Sequence, residues 1–450
     1  MLLPLSFMLA GLAAIIFGVG WLVLRPSLVA AYHYNQYVVA VTHLFVLGGI
    51  CSIVMGAMYQ LVPVALETRL HNERLARWQF VFHVVGFTGM VWMFWTWNLK
   101  QVGHFGSVLA VGVGLFVYNL ARTLRRVPKW NVTATAVTAA LVWISLAVTA
   151  GLVIAIAKCA NAVAFDPPAH LSGVMRAMLP VGNFMGRFDT ISAMHAHAHL
   201  GSVGFFVTLI VGVSYKLIPM FTLSEVQSAR RATWSVLLLN FGLAGSFVSI
   251  LLHSPWKLAF ALVMIAGLAV YAWELAAILR ARKRRALDWG VKYFLTAVAL
   301  FLPLSALAVV LSWPGLPANL FTGQLENVYG FLGLIGVVTL AVVGMLYKIV
   351  PFLVWFHCYS REIGRARVPL LAEMYSTGLQ MAGYWAFLAG LAVACVAIAM
   401  SNAGGVRLGC GLLALSAATL AVNVAKILAH FVWPKIQPFT IHASIISKAA

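Results

Sequence analysis

Apolar runs long enough to cross a bilayer recur from one end of this chain to the other, and no other feature limits its fold as much. A spanning helix needs about 20 apolar residues. We read twelve such runs, roughly 4–24, 36–63, 78–98, 103–121, 132–156, 190–219, 232–253, 256–279, 290–313, 326–356, 372–400 and 406–432. Lipid offers no hydrogen bonds to the backbone, so each run must satisfy its own peptide groups as a helix. The expected fold is therefore an all-α integral membrane protein, one polytopic domain over 1–450 with about twelve transmembrane helices. With 63% hydrophobic and only 9% charged residues, the chain is no soluble enzyme, disordered tail or nucleic-acid binder; ordinary globular chains carry about 25% charge. The first run has no charge before it and leads directly into further spans, which reads as a retained helix rather than a cleaved leader.

The net charge of +20 follows the spans. The loops after spans 2, 4, 6, 8 and 10 hold Arg69/Arg74/Arg77, Arg122/Arg125/Arg126/Lys129, Arg230/Arg231, Arg280/Arg282/Lys283/Arg284/Arg285 and Arg361/Arg365/Arg367. The long 157–189 segment holds only Lys158, Arg176 and Arg187. By the positive-inside rule both termini face the cytoplasm of a bacterial-type inner membrane. The basic residues are topology signals, so the expected partner is the lipid bilayer and not nucleic acid. Five cysteines without CxxC or CxxCH spacing argue against covalent haem, an iron–sulfur cluster or a Cys-ligated zinc site.

Internal repetition comes next. The segments THLFVLGGICSIVMGAMYQLVP (42–63), AHLGSVGFFVTLIVGVSYKLIP (198–219) and GFLGLIGVVTLAVVGMLYKIVP (330–351) align without gaps. They share Gly48/Gly204/Gly336, Gly56/Gly212/Gly344, Tyr59/Tyr215/Tyr347 and Pro63/Pro219/Pro351. Small residues let helices approach closely. The repeat-bearing helices 36–63, 190–219 and 326–356 are spans 2, 6 and 10, so the unit is four helices used three times.

Coordinating groups inside a membrane are costly and usually functional, and this chain has 13 histidines. The repeat makes His43 and His199 equivalent, each 20 residues before the shared proline and so about 30 Å from it along a helix. Two neutral imidazoles at one depth can take both axial positions of a haem iron. In Met194-His195-Ala196-His197-Ala198-His199, His195 and His199 share a face while His197 points nearly opposite. Such a helix can serve two metal centres, or bind one zinc or copper ion through the i,i+4 pair. His33, His104 and His170 read as surface histidines at helix ends or in loops. His71, His83, His357 and His430 read as interfacial or structural, and His442 lies in the tail.

The run from Ala196-His197-Ala198-His199-Leu200-Gly201 through Gly212, Tyr215 and Pro219 resembles the HxH helix of the catalytic subunit of haem–copper oxidases. It looks most like the C-type oxidases and bacterial nitric oxide reductases, with similarity also to NnrS-like haem- and copper-containing membrane proteins. The resemblance implies that His197 ligates a high-spin haem and that His199 shares a low-spin haem with His43. It further implies one or two haems of b type, copper as a second metal, and an electron-donor cytochrome or another membrane subunit as partner. The expected work is respiratory electron transfer or the handling of nitric oxide or oxygen. Arg407, just before the last span, matches the family's propionate-binding arginines, with Arg176 and Arg187 as further outer-side cations.

The departures from the family are specific. HxH lies here on span 6 rather than span 10, and span 10 has Tyr329 and Phe331 at the positions of His197 and His199. Only His253 stands near the outer end of span 7, and no His-His pair exists. A three-histidine copper site therefore cannot be assembled at homologous positions; His195, His253 and His104 are the histidines left to improvise one. Glu326, Asn327 and Tyr329 open span 10 as candidates to line a proton or substrate path. Two other readings stand beside this one. A transition-metal transporter would use His195, His197 and His199 as its site, and an assembly subunit would keep the fold without chemistry.

Overall fold

The structure, a computed structural model, describes residues 2–165, 170 and 172–438; His442 lies outside them. Twelve long helices follow one another: α1 (Leu2–Leu24), α2 (Gln36–Ala65), α3 (Glu73–Trp95), α4 (Leu99–Leu124), α5 (Val132–Phe165), α6 (Thr190–Thr222), α7 (Ala229–Leu251), α8 (Lys257–Arg280), α9 (Trp289–Ser312), α10 (Leu320–Tyr359), α11 (Thr377–Ala399) and α12 (Ala403–Ala429). Among the described residues, eleven are long and apolar enough to span a bilayer; α3, carrying Gln79, His83 and three tryptophans, falls short on apolarity alone. A shorter helix, Gly173–Met185, packs on α5 within the long segment before α6. The loop after α10 pairs with the chain after α12 through Ala366–Arg367 and Gln437–Pro438.

The repeat explains the architecture. About 72% of the most apolar stretch of α6 and of α10 is buried, and 56% of that of α2, against 17% for α9, so the repeat-bearing helices are central. In each unit the first helix packs on the second and the third on the fourth. The matched glycines make the first of these contacts. A methyl at Gly212 would stand 2.0 Å from Ala136 Cβ on α5, one at Gly56 2.6 Å from the Pro4 carbonyl on α1, and one at Gly344 2.6 Å from the Gly290 carbonyl on α9. Only a residue without Cβ lets the backbones come this close.

Two further features repeat that the sequence did not announce. Each central helix winds as a π-helix just after His43, His199 or Phe331: Leu44–Cys51, Leu200–Val207 and Leu332–Thr339. Side-chain hydroxyls accompany the altered winding. Ser52, Thr208 and Thr339 each donate to the carbonyl five residues earlier, at 3.3, 3.3 and 2.9 Å. His83 Nε2 on α3 lies 3.1 Å from the Leu47 carbonyl and 3.0 Å from Ser52 Oγ, so this fully buried histidine belongs to the α2 distortion.

The second feature is a polar clamp between the third and fourth helices of each unit. Asn119 on α4 accepts from the Asn72 amide and returns a bond to its carbonyl. Asn423 on α12 does the same to Ser376. Glu274 on α8 accepts from the Gln227 and Ser228 amides and from Arg231 Nε at 2.7 Å. The spacing from clamp to loop is 47 residues in all three. These side chains satisfy backbone groups at a helix entrance that hydrocarbon leaves without partners.

Candidate functional site

The histidine-bearing ends of α2 and α6 and the start of α10 meet in the interior. Each helix begins with an Asx cap: Asn35, Asp189 and Asn319 accept from backbone amides of the first turn. Bonds from Ser192 hold the Asp189 carboxyl below its ordinary value, as expected for an ionised N-cap. His43 Nδ1 is 2.7 Å from the Val39 carbonyl, and His199 Nδ1 is 2.8 Å from that of His195. Both rings bond the carbonyl one turn back, which orients each Nε2 away from its own helix.

Equal register, however, is not the same as facing. His43 stacks against His197, with ring centroids 6.5 Å apart and planes 15° from parallel. His199 instead faces Tyr329, whose hydroxyl is 3.3 Å from His199 Nε2. The rule is one rotation repeated: a residue on one central helix meets the one set two positions earlier, in repeat register, on the next. Continuing it from α10 to α2 selects Phe331 and Val41, both buried and apolar. The expected pair His43 and His199 is thus not the pair brought together; the HxH helix turns His197 to α2 and His199 to α10.

A metal bound between two imidazoles at about 2 Å from each nitrogen sets the ring centroids about 6 Å apart. The His43–His197 pair fits that spacing. His197 Nδ1 is buried, with the Ala147 carbonyl nearby but outside hydrogen-bonding geometry, and the ring packs where Gly151 has no Cβ, 3.0 Å from its would-be position. Beside the histidines the α6 backbone is bare. Ala198 is exposed, and a Cβ at Gly201 would meet nothing within 4 Å, so open space flanks the rings. Phe94 lies against His43 at 4.7 Å between centroids.

The other expected residues scatter. His195 Nε2 is 3.0 Å from His33 Nε2, and His33 Nε2 is 4.0 Å from Glu326 Oε2. His253 is exposed, 2.8 Å from Ser192 Oγ and 3.6 Å from Asp189, and His104 is exposed beside Gln101. These two do not join His195. Arg407 is exposed and donates from Nε to the Val23 carbonyl at 3.3 Å, tying α12 to α1; Arg176 and Arg187 are exposed. His33 was the residue misjudged: its side chain is only 16% exposed, because Gln324 and Asn327 of α10 bond the Ala30 and Ala31 carbonyls and draw its loop inward. Lys257 was not foreseen either; its charge acts on both His195 and Glu326.

No protein-family model matches the sequence, and no curated protein resembles it significantly. The arrangement defines a multi-pass, all-α membrane protein with its polar chemistry held between three central helices. Its fold is that of a haem–copper oxidase subunit. The chain superimposes on a haem–copper terminal oxidase, solved by cryo-EM as a dimer, with a TM-score of 0.56 and 13% identity over 96% of this chain and 85% of that one.

Proposed function

We propose that this protein binds haem between α2 and α6 and works in respiratory electron transfer; His43 and His197 are the residues that would hold the iron. The near-parallel His43 and His197 rings, 6.5 Å apart between centroids and close to the spacing one shared iron would give, carry the reading. Haem held there supplies a one-electron couple, and the chain sets its ligand orientation and a low-dielectric surrounding. The Val39 carbonyl fixes the His43 ring and its tautomer, while Phe94 and the apolar core keep water away. With both histidines on the iron, this site would leave no room for a diatomic gas. Handling of nitric oxide or oxygen belongs to the neighbouring space, where Tyr329 now occupies the Nε2 of His199. Electrons arrive from a partner cytochrome or membrane subunit on the outer side, since the arginine-rich loops put the histidine-bearing helix ends away from the cytoplasm.

A reduced-minus-oxidised visible spectrum of the purified protein, repeated under carbon monoxide, tests this. Sharp α-bands that the gas leaves unchanged are expected, and both His43→Met and His197→Met should lose or shift them. A spectrum without haem, or one indifferent to both substitutions, overturns the proposal.

A further inference from the structure

We infer that His33, His195 and Glu326 form a site for a divalent first-row transition ion at the outer end of the bundle, separate from the haem pair and independent of it. Three elements far apart in sequence converge here: the loop before α2, the first turns of α6 and the start of α10. Their ligand atoms all lie within 4.8 Å of one another. The two Nε2 atoms are 3.0 Å apart, near the separation of adjacent ligands on one ion at about 2.1 Å from each. Two imidazoles and a carboxylate are a recurrent set for zinc and iron that leaves coordination positions open.

The surroundings hold the ligands as a metal site requires. The second nitrogen of His33 is buried without a hydrogen-bond partner, and so is the Oδ1 of the nearby Asn327. Tyr32 covers His33, with centroids 4.5 Å apart. Asp189 supplies negative charge near His195, and Lys257 opposes it. The carbonyl of His195 is the acceptor for His199 Nδ1, so an ion on the ring and the neighbouring central histidine share one residue.

The test uses the haem-loaded, detergent-purified protein after chelation, titrated with Zn²⁺ by calorimetry and with Cu²⁺ by electron paramagnetic resonance. One equivalent should bind, and the Cu²⁺ spectrum should show coupling to two nitrogens. His33→Gln, His195→Gln and Glu326→Gln should each weaken Zn²⁺ at least tenfold, with the haem α-band retained in the His33 and Glu326 variants as proof of folding. His253→Gln should leave the affinity unchanged. No binding would mean that the two imidazoles only share a hydrogen bond, and binding lost in His253→Gln but kept in His33→Gln would put the ion at Asp189 and His253; either result overturns the inference. Because zinc is followed by heat and each variant's folding is checked by its thermal midpoint as well as by the haem band, a missing haem would leave this result readable, so the two proposals fail separately.

Discussion

The space between α2 and α6 and the space between α6 and α10 are built on one plan and filled differently. In each, a histidine whose Nδ1 bonds a carbonyl one turn back presents its ring to the next central helix. In the first it meets His197 across 6.5 Å, and in the second it meets Tyr329 and bonds it. At the corresponding register of α10 and α2 stand Phe331 and Val41, both buried and apolar. One backbone arrangement thus gives two imidazoles side by side in one space and a histidine bonded to a tyrosine in the next. The fold supplies three equivalent positions, and the side chain at each decides whether chemistry is available there.

The largest effect should come from breaking the first pair. His197→Ala should remove nearly all bound haem, read as pyridine haemochrome per protein, whereas His199→Ala should leave most of it; the reverse outcome would restore His199 as the ligand. Next is packing that all three units share. Gly212→Ala sets a methyl 2.0 Å from Ala136 and should cost about 1–3 kcal/mol, as overpacking does, while Gly201→Ala, with open space around it, should not lower the thermal midpoint. Tyr329→Phe removes the hydroxyl from His199 Nε2 and should cost about 1 kcal/mol without changing the haem α-band. If that variant gains a carbon monoxide difference spectrum, the second space has been opened to a ligand.

The smallest effect separates the helix caps. Asp189 caps α6, where α2 and α10 use Asn35 and Asn319. Its folded pKa lies below the ordinary carboxyl value, so its contribution is complete above about pH 4 and is lost as pH falls through the folded value. Asp189→Asn should abolish that acid-dependent part of the thermal midpoint, worth about 1 kcal/mol or less for an exposed cap.

Much of the scaffold was legible because it rests on length and repetition. Apolar runs gave the helices within several residues, and the shared glycines marked the close helix contacts later seen at Gly56, Gly212 and Gly344. The pairing of histidines was not legible from equivalence alone. Equivalent residues on helices related by rotation point into successive spaces, never into the same one. Tyr329 stands in the register of His197, but the two-position offset that matches His199 with Tyr329 and His43 with His197 comes only from the helix rotation in the structure. His33 was hidden for another reason. Its position depends on Gln324 and Asn327 holding a loop almost three hundred residues away in sequence, which no local pattern records. The clamp residues Asn119, Glu274 and Asn423 differ in type, so only their spacing could have exposed them.

The π-helical stretches give each central helix about one residue of surplus winding over its length. They fall between the turn that carries His43, His199 or Phe331 and the glycine, tyrosine and proline that seat the helix in the bundle. The two ends of such a helix are therefore phased separately, like two gears joined by an adjustable coupling. Glycine and proline can remain locked to their neighbours while the opposite end is free to exchange histidine for tyrosine or phenylalanine. A chain built this way can change the side chains at three equivalent positions without renegotiating how it sits in the membrane.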